Sequence, residues 1–249
     1  MRSNSVAGAE NRERRLAMLT IRKSEHRGRT QLDWLDSRHS FSFGEYHDPA
    51  HLCFGDLRVI NEDVIRGGGG FPPHSHRDME IVTYVLSGAL RHRDSLGNDS
   101  VIRAGQIQRM SAGTGIVHEE LNASPDEPVH LLQIWMSTSE RGLRPSYEEK
   151  NVDPRAVANK FARIAAPEPL DTEIKLVQDT EIWAARFDTH EEAIHILAPG
   201  RRAWVQVVGG SVEIGAHVLG AGDALSINDE DRIAIRTRAP AEVLLFDLA

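Results

Sequence analysis

The stretch GGGGFPPHSHRDMEIVTYVLSGAL, residues 67–90, decides how the chain is read. Its second half, IVTYVL (81–86), is a β-rich run that breaks at Ser87-Gly88 and resumes with ALR (89–91), the pattern of a hairpin. Its first half carries His74 and His76, two residues apart. On a strand, residues i and i+2 point to one face, so both imidazoles can enter the same interior. Four glycines and Pro72-Pro73 make an irregular lead-in where backbone can approach closely. Alone, such a pair is more often a surface feature than a metal site.

A second segment changes that balance. MSAGTGIVHEELN (110–122) holds His118 and Glu120, again two apart and again in strand-like sequence. Two such pairs on separate strands of one barrel can converge. Three imidazoles and one carboxylate form an N3O set suited to Fe, Cu, Ni, Mn or Zn, and they leave a coordination position open for catalysis. Glu119 is the other candidate carboxylate. If His118 faces inward, however, alternation turns Glu119 outward and brings Glu120 in.

Outward from these segments the chain reads as all-β. Residues 203–227 repeat the hairpin pattern about Gly209-Gly210, and VHLLQIWM (129–136) and EVLLFDL (242–248) read as buried closing strands. Helical periodicity is weak, and the short helix candidates are Glu148–Ala158 and Thr189–His195. VTYVLSGAL (82–90) aligns with WVQVVGGSV (204–212), and AGQIQRMSAG (104–113) with AGDALSINDE (221–230), which predicts two similar β-domains. The join is expected within 137–170, rich in Pro, Ser and charge. This gives a tail over 1–17, an N-terminal domain over 18–140, and a C-terminal domain with linker over 141–249.

Composition narrows the function classes. The 249 residues carry 29 Lys plus Arg against 37 Asp plus Glu, a formal net charge of −8, which argues against direct nucleic-acid binding. The single cysteine, Cys53, cannot form an internal disulfide, so a reducing, cytoplasmic setting is expected. No apolar run approaches the roughly 18–20 residues of a membrane span. The first residues, MRSNSVAGAENRERRLA, have no hydrophobic signal region and read as a disordered tail, with Met18 an alternative start. Nine of the 12 histidines precede residue 150, which places the polar chemistry in the first domain.

These residues carry a resemblance. Gly68, His74, His76 and Glu80 resemble the first cupin motif, although Gly88 lies slightly beyond its usual closing glycine. Gly105, Gly113, His118 and Asn122 resemble the second, with Ser111 where proline is usual. More narrowly, FPPHSHRDMEIVTYVLSGALRHRDS and SAGTGIVHEELN look like the pirin family, above all its bacterial members with quercetin 2,3-dioxygenase activity. The likeness runs from about residue 19 to the end.

The resemblance implies a bicupin: two antiparallel β-barrels of the double-stranded β-helix or jelly-roll kind, with few short helices. It implies one divalent metal on His74, His76, His118 and Glu120, iron first, with Cu, Ni, Mn, Zn or Co also suitable. Glu80 then acts as a hydrogen-bonding carboxylate rather than a ligand. Placing Glu80 on Arg202 puts Ile196 and Ala198 where His74 and His76 stand, so the second domain is expected to be metal-free, with His195 one residue out of register and facing the other way.

The implied activity is oxidative ring cleavage of a flavonol such as quercetin with O2, giving a depside and carbon monoxide. Glu120 takes the proton of the metal-bound 3-hydroxyl as catalytic base. A monomer needing only a small aromatic substrate and O2 fits this reading. The alternative is a metal- or redox-responsive regulator that docks on a partner enzyme or transcription factor; a cupin isomerase or sugar-processing enzyme is a third class. His92 and Asp94 are candidates for the pocket rim or for solvated hairpin positions. Trp34, Phe41, Phe43 and Tyr46 are read as core and interface aromatics.

Overall fold

A computed structural model of the protein describes residues 18–249, so the expected tail over 1–17 lies outside the described residues. The N-terminal half contains β1 (Met18–Arg22), β2 (Gly28–Gln31), β3 (Leu35–His39), β4 (Leu57–Ile65), β5 (Gly70–His76), β6 (Met79–Ser87), β7 (Ala89–Asp94), β8 (Asp99–Arg103), β9 (Gln106–Ser111), β10 (Ile116–Asn122), β11 (Val129–Ser137) and β12 (Ser146–Asn151). The C-terminal half contains β13 (Ala162–Ala166), β14 (Ile174–Lys175), β15 (Thr180–Phe187), β16 (Glu192–Ile196), β17 (Arg202–Gly209), β18 (Ser211–Ile214), β19 (His217–Gly220), β20 (Ala224–Asn228), β21 (Arg232–Thr237) and β22 (Ala241–Leu248). A 3-10 turn at Ser24–His26 is the only helical element among the described residues.

Each half pairs a seven-stranded with a four-stranded sheet. The order is β12-β9-β6-β11-β4-β3-β2 against β5-β10-β7-β8 in the first half, and β1-β20-β17-β22-β15-β13-β14 against β16-β21-β18-β19 in the second. The architecture is the expected bicupin, with jelly-roll sheets facing each other rather than hydrogen-bonded into closed barrels. The large sheets pack back to back. Leu57, Val82, Tyr84, Leu132 and Ile134 from one share a core with Ile182, Trp204, Leu244 and Phe246 from the other. Their other faces line the two jelly-roll interiors, so IVTYVL and EVLLFDL are buried on both sides and read as nearly continuous apolar runs.

The two halves repeat one hairpin. Gly88 and Gly210 both turn with positive φ, +75° and +73°. A Cβ there would stand 2.6 Å from the Pro128 carbonyl oxygen and 2.1 Å from that of Pro240, so the backbone approach demands glycine.

Two strands cross the divide drawn at residue 140. β1 pairs along its whole length with β20, and β12, which lies beyond residue 140, pairs with β9, so the chain on each side of that divide supplies an edge strand to the large sheet of the other side. The exchange pairs the β9 and β20 edges and leaves β12 and β1 as the end strands of the two large sheets. The Glu80 carboxylate adds a latch between the halves: buried completely, it accepts N–H bonds from Val177 (2.8 and 2.9 Å) and Gln178 (3.1 Å).

Neither helix candidate forms. Residues 146–151 extend as β12 because the β9 edge offers a ladder and Pro154 stops any helix through the segment. Residues 192–196 alternate exposed and buried as β16, which places Ala193 and His195 inward and Ile194 and Ile196 outward.

Candidate metal centre

The interiors of the two halves are built from matching positions with opposite chemistry. Across β4, β11, β6 and β9 the N-terminal half carries the row Asn61, Gln133, Thr83, Gln108. The same row across β15, β22, β17 and β20 reads Trp183, Leu245, Val205, Leu225. One interior is therefore a packed apolar core, and the other keeps a polar layer that needs partners.

Strands β5 and β10 bring three histidines to that layer. Their ladder sets His118 opposite His74 and Ile116 opposite His76. The ring centroids lie 4.4 Å apart for His74 and His118, 4.8 Å for His74 and His76, and 4.9 Å for His76 and His118. One ligand atom from each lies within 4.8 Å of the others. His74 Nδ1 is 2.9 Å from the Pro72 carbonyl oxygen, so Nδ1–H donates there and Nε2 is the nitrogen left to ligate. The Pro72-Pro73 lead-in thus sets this tautomer.

Burial, reinforced by the neighbouring His74, pushes the His76 imidazole down to about 4. Burial and the surrounding His74, His76 and His92 push His118 to about 2. Both are neutral near pH 7. His76 Nε2 and both nitrogens of His118 are buried without a hydrogen-bond partner. Three convergent imidazoles, two of them neutral with unpartnered nitrogens, are a donor set that a divalent transition metal would complete.

Glu120 joins this cluster through His118. Its ligand oxygen groups with His118 and His92 rather than with all three of His74, His76 and His118. Alternation along β10 buries Glu120 and leaves Glu119 half-exposed, and a bulge between His118 and Glu120 in the pairing with β5 adjusts its aim. The carboxylate accepts hydrogen bonds from Thr83 Oγ1 (3.3 Å), Gln108 Nε2 (3.2 Å) and Gln133 Nε2. Burial, with the Asp63 charge beside it, outweighs these donors and raises Glu120 to about 7. Asp63 is likewise raised to about 7 by burial, against the hydrogen bond from the Ser37 hydroxyl.

A cavity of about 640 Å³ opens onto these groups, a size suited to a small organic ligand. Trp34, Phe43, Phe71 and Trp135 give it flat apolar walls, while His39, Asn61, Asp63 and Gln133 give it a polar side. Trp34 and Phe43 are therefore cavity residues, whereas Phe41 packs against Trp204 in the core between the halves. His92 is no solvated hairpin residue: it is completely buried, stacked on Tyr147 at 4.7 Å and bonded to Asp94 at 3.1 Å. Sequence reasoning missed the supporting residues Asp63, Thr83, Gln108 and Gln133. For Thr83 and Gln133 the signal is a polar residue at an inward position of a mostly apolar strand, as in IVTYVL and VHLLQIWM; Asp63 and Gln108 lie in strands with several polar residues and carry no such signal.

His195 differs from expectation. Gly88 and Gly210 align Leu90 with Val212, whose partners are Asn122 and Thr237. Four residues back along those strands, His118 pairs with His74, and Ile233 pairs with His195. His195 thus occupies the place of His74 and faces inward, 5% exposed. Ile233 and Ile235 stand where His118 and Glu120 stand in the first half. His195 is bound to Asp247 at 2.9 Å, and Arg201 engages the same carboxylate, so the cleft of about 870 Å³ beside them is lined by paired charges.

Comparison with known proteins agrees with this architecture. Residues 20–136 match the family profile described as Pirin, and residues 163–248 match the quercetinase C-terminal cupin domain. The chain is 46% identical over 231 residues to a quercetin 2,3-dioxygenase of Escherichia coli K12, covering 93% of this chain and 99% of that protein. It is 38% identical over 217 residues to a pirin-like protein of Caulobacter vibrioides, covering 87% and 93% of the two chains. Among solved structures, the bacterial pirin YhhW of Escherichia coli in complex with nickel(II) superposes with a TM-score of 0.88 at 44% identity, covering 93% of this chain and 99% of that one. With the jelly-roll pair and the histidine cluster both in place, the chain belongs to the pirin family.

Proposed function

We propose that this protein is a metal-dependent dioxygenase that cleaves the central ring of flavonols such as quercetin with O2, in a reducing cytoplasm where the exposed Cys53 stays a free thiol. The observation that carries this reading is the set of three convergent imidazoles, two of them with unpartnered nitrogens, on the wall of an aromatic-lined cavity. The quercetin dioxygenase name of a 46%-identical relative and the nickel complex of a 44%-identical one support it.

His74, His76, His118 and Glu120 would hold the ion, iron in this reading. A divalent metal there supplies Lewis-acid stabilisation of a flavonol oxyanion and redox contact with O2. The chain does the rest. Glu120, raised to about 7, is poised to accept the proton of the 3-hydroxyl near neutral pH. Gln108, Gln133 and Thr83 hold its carboxylate in place. Trp34, Phe71 and Trp135 pack against flat rings and exclude water, and Asn61 and Asp63 meet substrate hydroxyls on the polar side.

Metal-loaded protein incubated with quercetin under O2 should bleach the flavonol's visible absorbance, and the His74→Ala/His118→Ala double variant should not. Absence of bleaching under any metal loading overturns the enzyme reading and favours the regulatory one.

A further inference from the structure

Beyond the three-histidine group, we propose a second, deeper coordination position for a divalent transition metal in the same half, formed by His92, His118 and Glu120. It shares His118 and Glu120 with the metal centre proposed above and rests on that reading only through them. One ligand atom from each of the three lies within 4.8 Å of the others, and all three residues are buried. His92 carries the inference, because its role in packing alone leaves an atom unexplained.

The His92 Nε2 is 3.1 Å from Asp94 Oδ2, and both side chains are fully buried. Nε2–H therefore donates to the carboxylate, which leaves the lone pair on Nδ1. That Nδ1 is buried and has no hydrogen-bond partner. A carboxylate behind an imidazole whose other nitrogen stands free is the usual outer support of a metal-binding histidine.

The support is itself fixed. Asp94 Oδ1 accepts the N–H of Leu96 (2.9 Å) and of Asn98 (3.1 Å), and the Tyr147 ring stacks on His92 with planes 24° apart. An imidazole so constrained cannot turn to satisfy Nδ1 elsewhere, and an unmet buried nitrogen is unfavourable.

His118 faces both groups. Its rings lie 4.4 Å from His74 and 5.3 Å from His92, and both of its nitrogens are unpartnered. A histidine serving a single ion usually has its second nitrogen tied to a carboxylate or carbonyl. Two histidines and one carboxylate form a ligand set of the non-haem Fe(II) type, which Co(II) also fits.

The test uses the full chain and cobalt(II) alone as probe, read by equilibrium dialysis with metal analysis and by visible ligand-field absorption. His74→Ala/His76→Ala should still bind about one cobalt per chain, and adding His92→Ala should reduce binding to background. Asp94→Asn in the double variant should weaken binding by about 10–100-fold. Circular dichroism of the metal-free variants checks folding. Should the triple variant not fold, replacing His92 by Gln instead of Ala in the His74→Ala/His76→Ala background should remove one imidazole nitrogen from the Cu(II) pulsed-EPR pattern of the singly loaded protein. The proposal is overturned if the double variant binds no cobalt, if the triple variant binds as much as the double, or if His92→Gln leaves the nitrogen count unchanged. Cobalt binding by His92→Ala, which keeps His74, His76 and His118, and quercetin bleaching by the native chain report on the three-histidine centre separately.

Discussion

Replacing Asp63 with Asn should stabilise the metal-free protein at alkaline pH and have little effect in acid. Asp63 is fully buried, and its carboxyl titrates near 7 instead of the ordinary 3.8 because burial penalises its charge. Between those values the folded chain holds a proton that the unfolded chain has released. Stability therefore falls as pH rises through this window, and the whole penalty is present above about 7. A shift of about three units corresponds to about 4 kcal/mol. Asparagine keeps the shape and an oxygen for the Ser37 hydroxyl, and exchanging the acid for an amide there costs about 1 kcal/mol at most, the worth of one neutral hydrogen bond. The net gain expected at pH 8 is about 3 kcal/mol, vanishing or turning slightly negative near pH 4. Denaturant unfolding of wild type and Asp63→Asn at the two pH values, after metal removal, measures it. An equal difference at both pH values, or a variant less stable at pH 8, would refute the claim that Asp63 is held as a buried acid.

Other substitutions probe the frame. Glu80→Gln turns an N–H donor toward the backbone amides of Val177 and Gln178 and should cost about 1–3 kcal/mol in denaturant unfolding; a neutral result would show that the latch between the halves contributes nothing. His195→Ala leaves the Asp247 carboxylate to Arg201 alone and should lower stability by about 1–3 kcal/mol while metal content by elemental analysis stays unchanged; loss of metal would place His195 in the centre after all.

The parts of the site that obey a simple period were legible in the sequence. His74 and His76, and His118 and Glu120, are i,i+2 pairs on β5 and β10, so alternation alone placed each pair on one face. The repeated hairpin was legible because Gly88 and Gly210 are required by the same backbone approach. The polar row was not, since Thr83 and Gln133 are single polar residues inside strands buried on both faces, where the surrounding apolar run dominates the reading. The exchange of β1 and β12 depends on which sheet edge lies nearby, a tertiary fact absent from either segment. The two helix candidates failed for the same reason: short segments took the ladder offered to them. His195 was misplaced because a hairpin alignment without gaps ignores the different loops that follow β5 and β16.

The central claim is that Glu120 moves a proton while the histidines keep the metal. Glu120→Gln preserves size and a carbonyl oxygen but removes the basic site. The decisive measurement is quercetin turnover per bound metal, at saturating quercetin, for wild type and Glu120→Gln. The variant should keep much of its metal and lose roughly 10²–10⁴ in turnover per metal, the usual contribution of general acid–base catalysis. Equal turnover per bound metal in the two proteins, with activity restored by added metal, would contradict the base role and leave Glu120 a ligand alone.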